Sequence, residues 1–569
     1  MKRSLSSLAL VAAMLASPLG AIAQPASSHN ATIPTPEPSP VMPAVPTVAP
    51  GYNAPKARPE SAEIVGVTQQ PFVGLSLQDA IGMALLRNPD LAVAAANTNV
   101  ASYQIRAAKG AFDVRFQVEP SVSHSTTAPE NAFFAGPQFG PIIQNSQTLQ
   151  AGLAGQTQIG TQYSVGISQT RVDNNGVIQA FDPYYLASLN VSVTQPLLKN
   201  AGMSAARQQL ELAKINHDAS TAATLASVST AISTVEDVYW SLVAAWRNVA
   251  IQEDALHQAV LQQASNVRLA QHGAAAPIDA VESSSQVAIY QDNVFSALQT
   301  VSELQNQLKA LVVDDPADPI WRANLMPTSP VLQIPSVPSL DALLASAMKN
   351  RPEIEQVAAG RQAANVGLAY AKSQALPQVD LQLSYQGNGF AGNALPPLGG
   401  AFGNQAPPAY LGGVYGQAYG NIGRFPTYNA GVVISEPIGN NTGRALVASA
   451  KEQQRIAKLQ TAGLDERIVF EVRNALQGYQ ASLSRLYAAR AAREAAQAVY
   501  ASEQRKFRNG ASTTFLVTQR QVELVQNEGR ELQAQTDLNK AIVELQRVDG
   551  SILSENNVTL QTLGTGANP

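Results

Sequence analysis

Apolar residues recur at steps of three and four over a proline-free run from Ser204 to Gly273, with Ile232, Val235, Tyr239, Leu242, Trp246 and Val249 on one stripe. That period is helical, and one continuous face turns toward neighbouring helices. At 1.5 Å per residue the run predicts a helix about 100 Å long, more than a compact core needs. A second such run lies between Gly443 and Gly510, with Ile468, Val472, Ala475, Tyr479, Leu483 and Leu486 on its stripe. Each ends at a glycine-marked turn and is followed by a half-length helical run, Ile278 to Val312 and Phe515 to Val548. A hairpin with one arm twice the other leaves half the long arm bare. Two more half-length runs, Leu77 to Ala111 and Leu340 to Ala375, are available to cover it, the first with Ser76 as N-cap and a break at Asn88-Pro89.

Elsewhere the period changes to two. Val114, Phe116, Val118 and Val122 alternate with Arg115, Gln117, Glu119, Ser121 and Ser123, which predicts a strand with one apolar and one polar face. The same alternation returns at Tyr163, Val165 and Ile167, at Leu189, Val191 and Val193, at Val379, Leu381, Leu383 and Tyr385, and at Tyr428, Ala430, Val432 and Ile434. Glycine, asparagine and proline clusters separate these stretches. Gly387 to Phe425 reads as a long loop rich in Gly, Ala, Pro and Tyr, of a length that suits the outer face of a membrane barrel.

The chain repeats itself. An offset of 263 residues sets Pro89 on Pro352, Leu77 on Leu340, Ala84 on Ala347, Lys109 on Lys372 and Val118 on Leu381, while Gln195-Pro196 finds a counterpart in Glu436-Pro437. The expected organisation is a signal peptide (1–23), a Pro-rich linker (24–72), a first repeat (73–312), a connector (313–338), a second repeat (339–550) and a flexible, polar tail (551–569). The leader reading rests on Lys2 and Arg3, the apolar stretch Leu8 to Leu15, and Ala21-Ile22-Ala23 before Gln24. The linker is either a plain spacer or an arm that wraps the folded body or touches the cell wall.

Composition narrows the chemistry. The chain has 569 residues, a net charge of -4 and no cysteine, so it offers no basic footprint for nucleic acid and no disulfide, thiolate ligand or lipid anchor on cysteine. No run of some twenty apolar residues follows the leader, so any membrane span must be made of strands. Four to six strands are too few to close a barrel alone, and several copies around an axis are required. The five histidines, His29, His124, His217, His257 and His272, lack metal-ligand spacing, and Glu282 near Asp279 reads as a solvated helix face rather than an acid-base pair. With no phosphate loop either, no enzyme and no cofactor is expected.

The duplicated helix starts (Leu77 to Leu91 and Leu340 to Ile354), the junctions Gln195-Pro196-Leu197 and Glu436-Pro437-Ile438, and the turns Arg268-Leu269-Ala270-Gln271-His272-Gly273-Ala274 and Arg505-Lys506-Phe507-Arg508-Asn509-Gly510-Ala511 together resemble the TolC-type outer-membrane efflux channels. The resemblance covers nearly all of Leu75 to Gly550. It implies an α+β membrane protein, a homotrimer whose transmembrane β-barrel in the outer-membrane lipid continues into a long periplasmic α-helical barrel. It also implies a passive duct that serves a periplasmic adaptor and an energised inner-membrane transporter. By that resemblance Gly273, Ala274, Gly510 and Ala511 form the adaptor-docking tip. Asp279 matches an acidic pore position whose counterparts in the second turn are Leu516 and Gln519, and Phe507 stands at a tyrosine position. An apolar gate of Phe507, Phe515 and Leu516 is one reading, coiled-coil knobs the other. Two strands per repeat are the family plan, so four wall strands per chain are expected, although Leu149 to Arg171 alternates enough to add a hairpin or an extracellular elaboration. The competing reading is a secreted or periplasmic coiled-coil structural or adaptor protein.

Overall fold

The computed structural model describes residues 72–129, 137, 140–176, 178–329, 336, 338–396 and 406–558. The leader and nearly all of the linker lie outside the described residues, as do 559–569 of the tail.

Helix starts fall where short polar side chains supply acceptors. Strand β1 (Phe72–Leu75) leads into α1 (Leu77–Arg87), capped by Ser76, whose Oγ accepts the Asp79 N–H at 3.1 Å. The chain breaks at Asn88, and its Oδ1 accepts the Asp90 N–H at 2.9 Å to start α2 (Pro89–Lys109). Four strands follow: β2 (Arg115–Thr127), β3 (Ile142–Gln156), β4 (Gln162–Asn174) and β5 (Phe181–Pro196). The long helix α3 (Ala205–Gln271) and its shorter return α4 (Pro277–Val312) complete the first half. In the second half β6 (Asn324–Pro327) precedes α5 (Leu340–Asn350) and α6 (Pro352–Gln374). Then come β7 (Gln378–Ala394), the short α7 (Tyr415–Gly420), β8 (Phe425–Ser435), α8 (Asn441–Arg508), α9 (Thr514–Asp549) and α10 (Ile552–Glu555).

The predicted stripes are the cores. Ile232, Val235, Tyr239, Leu242 and Val249 of α3 bury against Val294, Leu298 and Val301 of α4 and against Ile81 of α1. Ile468 and Val472 of α8 bury with Leu343 of α5 and Val548 of α9. Each such side chain contributes about 1.5–3 kcal/mol by leaving water, and this holds helices in place that no tight globule surrounds. Beyond the hairpin partners, α3 lies against α2 and α6, and α8 against α6.

The connector is more ordered than its prolines suggest. Its strand β6 pairs in parallel with β1, and the pair is pinned to α3: the Tyr239 hydroxyl donates to Leu75 O and Trp246 Nε1–H to Leu325 O, both at 3.0 Å. The tail expectation is corrected too, for Ile552 of α10 is fully buried and Val558 is buried. Both are apolar residues the core uses.

All the larger strands form one antiparallel sheet in the order β2-β3-β4-β5-β7-β8. The sheet therefore has six strands and not four: β3 and β4 are full members of it, 15 and 13 residues long. The hairpin adds strands without disturbing the faces, since Val118 stands opposite Ala151, Ala151 opposite Ile167 and Ile167 opposite Leu189. Side chains alternate with period two, so one face carries Phe116, Leu153, Val165, Val191, Tyr385 and Tyr428, and the other is mainly hydroxyl and amide with Arg115, Glu119 and Asp380 among them. On the polar face the Ser123 and Ser146, Ser164 and Ser192, and Ser168 and Ser188 hydroxyls meet at 2.6, 2.7 and 2.6 Å.

The long loop is corrected as well. Residues 387–394 continue β7, and α7 lies on β5 and β7, with Tyr415 edge-on to Tyr185 at 4.7 Å between ring centroids. Gly389 is required by this approach, because a Cβ there would stand 1.9 Å from Ala418 O. Asn421 Nδ2–H donates to Phe390 O at 2.8 Å and Tyr410 O at 2.7 Å, which ties the segment down.

Candidate functional site: the hairpin tips

The two long helices end in the same way. His272 caps α3, Gly273 follows at φ +70°, and the Gly273 and Ala274 N–H groups donate to Ala270 O and Leu269 O at 3.1 and 2.8 Å. Asn509 caps α8, Gly510 follows at φ +74°, and the Gly510 and Ala511 N–H groups donate to Phe507 O and Lys506 O at 3.0 and 2.8 Å. Both are Schellman motifs, in which a left-handed residue lets two N–H groups satisfy the last free carbonyls. A Cβ at either glycine meets nothing within 4 Å, so backbone conformation alone selects glycine. Gly273, Ala274, Gly510 and Ala511 are all exposed.

Just beyond the turns the two returning helices begin at equivalent positions. Ile278 and Phe515 are both exposed, at 66% and 59%, and Val281 at 61% adds to this apolar rim. Asp279 and Leu516 stand next to them, half-buried, as is Phe507. The Asp279 carboxylate is already engaged, for its Oδ2 accepts the Ala276 N–H at 3.2 Å at the start of α4. The corresponding start of α9 uses Thr513, whose Oγ1 accepts the Leu516 N–H at 3.4 Å. Asp279 reaches back from the third position of its helix to the cap residue, whereas Thr513 reaches forward from the cap to the third position.

Sequence reasoning missed the polar contacts that join the tips. The Thr514 hydroxyl, buried on α9, donates to Asn266 Oδ1 of α3 at 3.4 Å, and Gln521 Nε2–H donates to Ala255 O at 3.1 Å. Glu503 accepts from the Ser512 hydroxyl at 2.5 Å and from Lys506 Nζ at 3.1 Å, and these two bonds hold its carboxyl below the usual range. The available signal is Asn266, a polar residue on the buried face of α3.

Among the described residues no group of three metal-ligating side chains comes together, and no helix is long and apolar enough to cross a membrane. His29 lies outside the described residues.

Residues 343–551 match the family model described as outer membrane efflux protein. No curated protein sequence matches the chain. Solved structures do. The Campylobacter jejuni CmeC outer membrane channel superposes with a TM-score of 0.59 at 15% identity, over 85% of this chain and 90% of that one. CusC gives 0.59 at 15%, over 88% and 99%. The Vibrio cholerae outer membrane protein VceC gives 0.57 at 16%, over 83% and 96%. Residues 343–551 thus carry the signature of the outer membrane efflux protein family, and the described chain has the mixed helix-and-strand fold of the outer-membrane channels.

Proposed function

We propose that this chain is one protomer of a homotrimeric passive exit duct in the outer membrane. Its sheet forms part of a barrel wall in lipid, its long helices extend through the periplasm, and an adaptor and an energised inner-membrane transporter supply cargo and work. The observation that carries this reading is the sheet itself: apolar on one face, hydroxyl and amide on the other, and unpaired along both β2 and β8. A wall between lipid and water needs those two faces, and an open sheet in a membrane needs its edges closed. The coiled-coil alternative gives six amphipathic strands nothing to do.

At the far end the exposed glycine turns, flanked by Ile278 and Phe515, are the adaptor-docking surface, and Phe507, Phe515 and Leu516 close the entrance by apolar contact. Asp279 contributes a single acidic ring, weaker in cation preference than two rings would be because its second-turn counterpart is Leu516.

The duct reading is tested by electron microscopy and planar-bilayer recording of the detergent-extracted protein. Threefold hollow particles that conduct are expected; solid rods or non-conducting monomers would overturn it. Replacing Asp279 by Asn should reduce cation preference, and unchanged selectivity would remove Asp279 from the pore. Asp in place of both Ile278 and Phe515 should abolish adaptor-dependent efflux while membrane insertion persists; full efflux would move the docking surface elsewhere.

A further inference from the structure

The repeat specifies how one copy joins the next. Within the chain the last strand of the first half, β5, pairs with the first strand of the second half, β7, with Val191 opposite Tyr385 and Asn190 opposite Gln386. The first strands of the two halves are related by the 263-residue offset, and the last strands by the 241 residues that set Gln195-Pro196 on Glu436-Pro437. In the second half the last strand, β8, pairs with β7 on one side and has no neighbour on the other, and the first strand of the first half, β2, is the bare opposite edge.

Resting on the duct reading, we propose that β8 of one copy pairs antiparallel with β2 of the next in the register of β5 on β7. Val432 then stands opposite Val122 and Gly431 opposite Ser123, and three copies close an eighteen-stranded wall.

The register carries its own check. A transfer wrong by one residue would put apolar side chains opposite polar ones, because each residue step reverses the face. The transferred register instead sets Ile434 on Pro120 and Val432 on Val122 along the apolar face, and Val433 and Gly431 on Ser121 and Ser123 along the polar one. Exposure points to the same seam. Large apolar side chains more than 70% exposed are Phe116, Val122, Tyr428, Ile434 and Ile438, all at these edges, with Leu86 of α1 the sole exception among the described residues. The ladder also extends beyond the strand in the internal pair, where the Leu197 N–H donates to Val379 O at 2.7 Å. Its equivalent at the seam is the Ile438 N–H aimed at Phe116 O. The helices that continue these edges are bare on large apolar residues too: Val93, Val100 and Tyr103 of α2 are exposed, as is Leu459 of α8.

Six strands per copy set the size of the exit. With strands about 4.8 Å apart and tilted about 40°, eighteen strands give a backbone diameter of about 36 Å, against about 24 Å for twelve. The hairpin β3–β4 therefore widens the duct where it crosses the lipid, and the wall it adds presents mainly hydroxyl and amide groups to the interior.

The chain lacks cysteine, so introduced pairs report without background. In the internal ladder Asn190 and Gln386 fall between the hydrogen-bonded pairs, where side chains approach closest, so Gly431 and Ser123 occupy a site suited to a disulfide. A Cβ at Gly431 meets nothing within 4 Å. The full-length protein carrying Gly431→Cys with Ser123→Cys, oxidised in its membrane, should run as a covalent trimer that reductant collapses. The pair Val433→Cys with Ser121→Cys should do the same, and Gly431→Cys with Ser125→Cys should stay monomeric. A native trimer in which only the mismatched pair links, or neither matched pair does, overturns the register and leaves the duct intact; absence of any trimer by native mass overturns both. Electron microscopy of the unmodified protein adds an arm independent of the variants. A wall near 36 Å supports eighteen strands, and one near 24 Å refutes them.

Discussion

The two halves of this chain build the same helical hairpin and solve its junctions with different chemistry. Where the first helix of each half breaks before a proline, the first half places Asn88, buried, with its Oδ1 capping α2 and its Nδ2–H donating to Leu311 O at 3.2 Å. The second half places Arg351 at the equivalent position, also buried, with one guanidinium nitrogen 2.6 Å from Glu471 and another 3.0 Å from Glu353. Burial pushes the Glu353 carboxyl up, but the Arg351 hydrogen bond, a backbone hydrogen bond and the charges of Arg351 and Arg547 together hold the pKa below its ordinary value. The large sheet diverges further, with four strands from the first half against two from the second. The helical scaffold thus tolerates both a neutral and an ionic joint, and the sheet accepts an inserted hairpin, provided that backbone breaks and strand faces are kept.

The largest effect should come from making the halves alike. Deleting residues 142–174 removes β3 and β4 and leaves β2 and β5 to pair as β7 and β8 do. Image averages should then show the barrel diameter reduced by about a third on an unchanged helical body. An unaltered diameter would mean that the hairpin does not belong to the wall. At the joints, Arg351→Ala removes the shared partner of two half-buried carboxylates and should destabilise by about 1.5–3 kcal/mol, against about 1 kcal/mol for the loss of a cap in Asn88→Ala. Thermal unfolding of the two variants side by side reads the difference; equal losses would show that the ion pairs are no more than a cap.

What could be read in advance follows from the same contrast. Helical period, prolines and glycine stops act over a few residues, so α3, α4, α8, α9 and the Asn88 break were all visible in the sequence. The hairpin is less legible because its apolar face is thinned by Ala151 and Gly155 and runs into Gln169 and Arg171, so alternation alone does not separate a member of the sheet from an outer elaboration. Strands β1 and β6 are four residues each, too short for any period, and exist because Tyr239 and Trp246 hold them. At the tips the glycines were legible. The contact of Asn266 with Thr514 joins residues 248 positions apart, which no local pattern encodes.

A buried carboxylate gives the first half a pH dependence that the Arg351 joint does not share. Burial lifts Glu236 of α3 to about 7, the hydrogen bond from Asn556 working against it and the charges of Asp237 and Glu555 adding to it. Because the folded protein keeps a proton that the unfolded chain releases, the deficit is absent below the ordinary glutamate value of 4.5, grows as pH rises, and is complete above about 7. Glu236→Gln should therefore stabilise by up to roughly 3 kcal/mol at pH 8 and by little at pH 4. Parallel melting curves at the two pH values test this, and a gain that is the same at both would assign the effect to packing rather than to the proton.

The smallest and sharpest comparison is between the two glycine turns. Gly273 and Gly510 have nearly the same φ, the same two N–H bonds and the same open space for a Cβ, so alanine at either site meets only the left-handed backbone penalty, about 1 kcal/mol. Asparagine, which adopts that conformation more readily, should recover part of it at both. Melting of the isolated protein should then rank glycine, asparagine and alanine identically at the two turns. An efflux assay in cells adds the functional half of the test. If the turns dock a partner through exposed backbone, asparagine should impair export even where it spares stability. A loss at one turn and not the other would show that the halves, equal in their geometry, are unequal in what they bind.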